Sequence, residues 1–144
     1  MARTALTFAD YEALPSDGRH YQILDGELFV TATPNTSHQR VVGNLFAMLR
    51  AHVRAGRLGE VFVSPVTVIL ADTTVVEPDI VFVGSDRLPL INRRGIAGAP
   101  TLLVEVLSPS TSRVSVASAA APFSATATVL PCCFALLPST GDAR

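Results

Sequence analysis

Two apolar runs, each carrying an acid, constrain this chain more than any other feature. The first is Val75-Val76-Glu77-Pro78-Asp79-Ile80-Val81-Phe82-Val83 and the second is Thr101-Leu102-Leu103-Val104-Glu105-Val106-Leu107. Both are rich in β-branched residues, the pattern of buried strands. An unpaired carboxylate inside such a strand is costly, so it neutralises or finds a partner. Asp79 and Glu105 on neighbouring strands therefore suggest a shared divalent cation, since hard cations take carboxylate oxygens. The plainer alternative is that each acid sits at a strand end, solvated or bonded to arginine.

The rest of the chain reads as alternating helix and strand signals within a length, 144 residues, that fits one domain. Thr7 caps a short helix that runs to about Leu14 and stops at Pro15-Ser16-Asp17-Gly18. Tyr21 to Val30 forms a hairpin around Asp25-Gly26, a dipeptide suited to the positive φ of a tight turn. Val41, Val42, Leu45, Phe46, Leu49 and Val53 recur at helical spacing and predict an amphipathic helix over 38–55, opened by His38 and closed by Gly56. Residues 61–70 read as a long strand, broken or edged at Pro65, returning through 75–83 as an antiparallel hairpin. Residues 85–91 make one helical turn, Asn92-Arg93-Arg94-Gly95 a loop, and 102–107 a third core strand.

Several of these segments, taken in order, resemble a known family. Glu77-Pro78-Asp79 followed by Glu105-Val106-Leu107-Ser108-Pro109-Ser110 resembles the PD-(D/E)xK nuclease superfamily. More narrowly, those residues with Tyr21 to Leu28, His38 at a helix start and Gly59-Glu60-Val61-Phe62 resemble the bacterial family of "putative restriction endonucleases". The resemblance spans residues 7–111. It implies an α/β (α+β), restriction-endonuclease-like fold: a mixed sheet core flanked by helices, with an N-terminal hairpin. It also implies a metal-dependent endonuclease acting on DNA. Asp79, Glu105 and the Val106 carbonyl would hold Mg²⁺, with Mn²⁺ as a substitute, and Glu27 would join the catalytic cleft from the hairpin. Gln22 stands where the family usually has Glu; its amide oxygen can coordinate but brings no charge. His38 borders the cleft in this reading, against the plainer one of a surface or capping histidine. Arg93, Arg94 and Arg113 are the candidate phosphate contacts, against the plainer one of solvated loop residues.

Composition sets limits on that expectation. All 11 basic residues are arginine, so the lysine that such nucleases use beside the metal has no counterpart at Leu107 or after the Ser-Pro-Ser segment. A formal net charge of −1 excludes a global basic field, and any DNA contact must rest on a local arginine patch. Beyond Arg113 the composition turns to Ala, Ser, Thr and Pro, with only Asp142 and Arg144 charged. The expectation is a nuclease-like domain over 1–111, incomplete at its C-terminal side. Residues 112–144 would be a poorly ordered tail outside the family pattern, of the kind a frameshift produces. The adjacent Cys132 and Cys133 make neither a structural staple nor a metal motif. With no signal-peptide core and no run of membrane-helix length, the chain reads as cytoplasmic with no membrane partner, and a homodimer is left open. The alternative to an enzyme is a non-catalytic nucleic-acid-binding or interaction module that keeps the nuclease fold.

Overall fold

The computed structural model describes residues 4–31 and 33–106, together with the backbone of 125–130 and 133–138. In chain order the elements are α1 (Phe8–Glu12), β1 (His20–Leu24), β2 (Glu27–Thr31), α2 (Thr36–Gly56), β3 (Gly59–Val63), β4 (Val68–Ala71) and β5 (Thr74–Val76). There follow β6 (Ile80–Gly84), a 3₁₀ turn (Ser85–Leu90), β7 (Ile91–Asn92), β8 (Gly95–Ala97), β9 (Leu102–Glu105), β10 (Ala125–Leu130) and β11 (Cys133–Pro138). The strands form two sheets, one ordered β2-β1-β5-β4-β8-β7 and the other β10-β11-β9-β6-β3. Among the described residues only β4 and β8 pair parallel, so the first sheet is mixed.

Local chemistry accounts for the first elements. Thr7 opens α1, and Asp10 accepts from both its N–H (2.8 Å) and its hydroxyl (2.9 Å), which meets an otherwise open helix-end donor. The β1–β2 hairpin turns on Asp25 (φ 49°) and Gly26 (φ 79°), the positive-φ pair of a tight hairpin turn. Asn35 caps α2 by accepting from the His38 N–H at 2.8 Å, and Arg57 ends the helix in the left-handed region at φ 51°.

Strand alternation builds a core on both faces of the five-stranded sheet. Ile80, Val104 and Val106 pack with Val42 on the face covered by α2, where Leu45, Phe46 and Leu49 join them. Val81, Val83 and Leu103 lie on the opposite face and pack with Leu24, Val68, Val76 and Ile96 of the other sheet. The layers are therefore α2, the five-stranded sheet and the six-stranded sheet.

The structure departs from the sequence expectation in three places. The long strand over 61–70 is two strands, β3 and β4, in different sheets, separated by the cis Ser64–Pro65 peptide. The expected single hairpin with 75–83 is accordingly split: β4 pairs β5 in one sheet, while β3 pairs β6 in the other. Asn92 to Gly95 is a hairpin rather than a plain loop, because Ile91 pairs Ile96 and Asn92 pairs Gly95 across the two arginines. The Asn92 side chain holds that turn by accepting from the Arg94 N–H at 2.8 Å. In the stretch expected as a loose tail, β10 and β11 pair antiparallel, and β11 pairs β9. The remainder of 112–144 lies outside the described residues.

Candidate active site

The two strand acids meet at one end of the five-stranded sheet. Antiparallel pairing of β6 with β9 sets Ile80 opposite Val104. One step further along the same register, Asp79 is opposite Glu105. Asp79 precedes β6 and its side chain turns to the end of the sheet, where the Val106 N–H and His38 of α2 meet it.

Asp79 is held on several sides. Its carbonyl accepts from the Ser64 N–H at 2.9 Å, extending the β3–β6 ladder by one rung. Its Oδ2 accepts from the Val106 N–H at 2.7 Å and lies 3.2 Å from His38 Nε2. His38 reaches it from the first turn of α2 and is only 12% exposed. Its Nδ1 is buried with no partner among the described residues, an arrangement that costs roughly 1–3 kcal/mol.

Glu105 responds to this neighbour. Burial raises its carboxyl well above the ordinary carboxylate range, the Asp79 charge pushes it further, and the hydrogen bond between the two side chains keeps the proton in place. Two carboxyls this close cannot both ionise without a counter-charge. Among the described residues no three His, Cys, Asp or Glu side chains cluster as metal ligands. The donors that the described residues bring together are thus the two carboxyls. They suit Mg²⁺, which binds through one or two carboxylates and retains water, and they do not suit the closed four-ligand cage of structural zinc.

The other expected residues are placed as follows. Gln22 is buried on β1, in the six-stranded sheet. Glu27 is exposed at the start of β2, opposite Leu24. Arg93 and Arg94 line a hollow of about 290 Å³ whose lining contains neither acid of the pair. Arg113 lies outside the described residues.

Sequence reasoning missed one anchor of the site. Glu77, two residues before Asp79, accepts from the Tyr11 hydroxyl at 2.6 Å and contacts His20 Nδ1 at 3.0 Å. Burial first, then the bond to Glu77, raises the Tyr11 phenol to about 12. Glu77 thereby ties the segment leading into Asp79 to α1 and β1. The signal was an acid inside an apolar run, as for Asp79, but its partners lie 66 and 57 residues away and leave no local pattern.

Comparison with known proteins follows from this geometry. Residues 8–120 match the family profile described as Uma2, "Putative restriction endonuclease". The chain belongs to this family. A solved structure from Anabaena variabilis ATCC 29413, described as a "putative nuclease belonging to DUF820", superposes with a TM-score of 0.63 at 22% identity. The match covers 75% of this chain and 62% of that one, so this chain spans about three-fifths of that protein's length. At that identity the likeness establishes the fold, the restriction-endonuclease-like α/β arrangement expected from the sequence. A search of curated proteins found no match. No helix among the described residues is long and apolar enough to cross a membrane.

Proposed function

We propose that this Uma2-family chain is a metal-dependent endonuclease that hydrolyses phosphodiester bonds of DNA. In this reading Asp79, Glu105 and the Val106 carbonyl hold Mg²⁺ or, in its place, Mn²⁺. The observation that carries it is the approach of Asp79 to Glu105 where β6 meets β9, close enough that, after burial, the Asp79 charge and a hydrogen bond raise the Glu105 carboxyl. A bound ion of this kind supplies an activated water and charge stabilisation at the phosphate.

The chain's own residues do the rest. Glu105, whose carboxyl burial and the Asp79 charge raise, would offer its oxygens to a cation beside Asp79. Asp79 keeps its orientation because the Val106 N–H and His38 grip the same oxygen. Gln22 on β1 offers an amide oxygen from the second sheet, and Glu27 a carboxylate from β2. The lysine that would stabilise developing negative charge is absent throughout the sequence. Arg113 can pair with a phosphate, but its high pKa makes it unfit to accept a proton. Losing one positioned transition-state donor typically slows such reactions roughly 10²–10³-fold, so weak cleavage with intact metal binding is expected.

The same missing lysine favours the second reading, a nucleic-acid-binding module that retains the fold. One experiment separates the two: supercoiled plasmid with the purified chain, Mg²⁺ or Mn²⁺, and Asp79→Ala alongside. Slow nicking that disappears in Asp79→Ala supports the enzyme. Metal binding without nicking supports the module. A folded chain that binds no divalent metal removes the proposed site altogether.

A further inference from the structure

The β7–β8 hairpin builds a second site beside the acid pair. The hollow of about 290 Å³ is lined in about equal measure by apolar residues, Phe62, Val66 and Ile91 among them, and by polar ones that include Thr67, Arg93 and Arg94. That volume lies at the lower edge of ordinary ligand pockets, about 300–1,000 Å³, and suits one small group rather than a duplex groove.

The two arginines are differently committed. Arg94 is tied to α1: its Nε lies 3.4 Å from Glu12 and its guanidinium sits 5.7 Å over the Phe8 ring. Arg93 is exposed at the tip of the turn, with no hydrogen bond or ion pair among the described residues. One positive charge therefore stands unmet in the lining of a partly apolar hollow. A phosphate alone would have no use for the apolar lining, and an apolar ligand would have no use for the arginine. A nucleotide, with a flat heteroaromatic base and an anionic phosphate, uses both, since bases stack on aromatic and guanidinium planes.

The hollow also adjoins the acids. Phe62 is opposite Val81, two residues along the chain from Asp79. Pro65, also in the lining, follows Ser64, whose N–H is bonded to the Asp79 carbonyl. Thr67, in the same lining, has its hydroxyl 3.4 Å from that of Tyr11, which donates to Glu77.

We propose that this hollow is a nucleotide subsite that takes one nucleotide of the DNA strand, its phosphate on Arg93 and its base on the apolar lining. The source of the strand rests on the nuclease reading above; the chemistry of the hollow does not. The test is fluorescence anisotropy of a labelled single-stranded oligodeoxynucleotide with the full chain in EDTA, which silences the acid pair. Arg93→Glu is compared with Arg54→Glu, the same charge change on an exposed position of α2. Arg93→Glu is expected to weaken binding about tenfold more than Arg54→Glu, and Arg93→Ala to lower the slope of log affinity against log salt by about one. Deoxyadenosine monophosphate is expected to displace the oligonucleotide from the wild-type chain where equimolar inorganic phosphate does not.

Three results overturn the assignment. Equal effects of Arg93→Glu and Arg54→Glu leave the hollow without a role. Displacement no better than by phosphate reduces it to backbone electrostatics. Binding of the mononucleotide that depends on Arg93, with oligonucleotide affinity that does not, makes a free nucleotide the occupant. Metal-dependent nicking is scored separately. Arg93-independent binding with nicking lost in Asp79→Ala sinks the subsite alone. Arg93-dependent binding of both probes without any metal binding sinks the nuclease reading alone.

Discussion

A single proton on Glu105 links the folding of this chain to its proposed chemistry. Because its carboxyl is raised in the folded state, Glu105 favours folding most where it is protonated in both states, below its ordinary value near 4.5. That contribution is lost as pH rises through the folded value. The metal-free chain should therefore lose stability from mildly acidic to alkaline pH, and Glu105→Gln should flatten that decline by removing the ionisation. Divalent cation should stabilise the wild-type chain more as pH rises, since binding displaces the proton, and should not stabilise Glu105→Gln. Melting temperatures measured against pH, in EDTA and in Mg²⁺, test both; superimposable wild-type and Glu105→Gln profiles would refute the coupling. Tyr11 is the other informative residue. Its 2.6 Å bond to the Glu77 carboxylate is charge-assisted, so Tyr11→Phe should cost about 1.5 kcal/mol in urea unfolding. Because Glu77 precedes Asp79 by two residues, the same variant should weaken Mg²⁺ binding; a stability loss with unchanged metal affinity would confine Glu77 to a structural role.

The elements that could be read from sequence are those whose determinants are local. Asp25-Gly26 forces the first hairpin through its own backbone preferences, and the apolar spacing of α2 reports the face it buries. The strands carrying Asp79 and Glu105 were legible because β-branched runs have few other uses. A break at Pro65 was legible from the proline, but the change of sheet there was not, because it is decided by partners far along the chain. The β7–β8 hairpin was hidden because its turn residues are two arginines rather than Asn-Gly or Asp-Gly, with Asn92 supplying the turn through its side chain. His38 stood in the sequence as either a cleft residue or a capping or surface one, because only tertiary packing brings it to Asp79, 41 residues away. Gly59 shows what such packing demands of a single position. Its φ is 144°, and a side chain there would strike the Val83 carbonyl where β3 meets β6. Gly59→Ala should destabilise by roughly 1–3 kcal/mol and, by displacing β3 from β6, loosen the ladder that ends at Asp79. Chemical denaturation with a parallel Mg²⁺ titration reads both effects.

At the scale of the whole molecule, the two sheets share one core, and this decides how the chain should unfold. Leu24, Val68, Val76 and Ile96 come from the six-stranded sheet, and Val81, Val83 and Leu103 from the five-stranded one, yet they form a single buried cluster. Glu77-Pro78-Asp79 is one of the covalent bridges between them, joining β5 of one sheet to β6 of the other. Neither sheet can bury its inner face alone, so the sheets should melt together. Val81 is fully buried at the centre of this contact. Val81→Ala removes two methyl groups there and should cost about 2 kcal/mol, from lost transfer energy and the cavity left behind. For a chain of this length that corresponds to a drop of roughly 4–10 °C in melting temperature. Tyr11 and Tyr21 sit on α1 and β1, and the chain has no tryptophan, so tyrosine fluorescence reports the six-stranded side while far-ultraviolet circular dichroism reports both sheets. The two signals should shift together in Val81→Ala and keep one common midpoint. Separate midpoints would show that the sheets are independent units. The acid pair would then hang on the five-stranded sheet alone, and Tyr11→Phe would leave metal binding untouched.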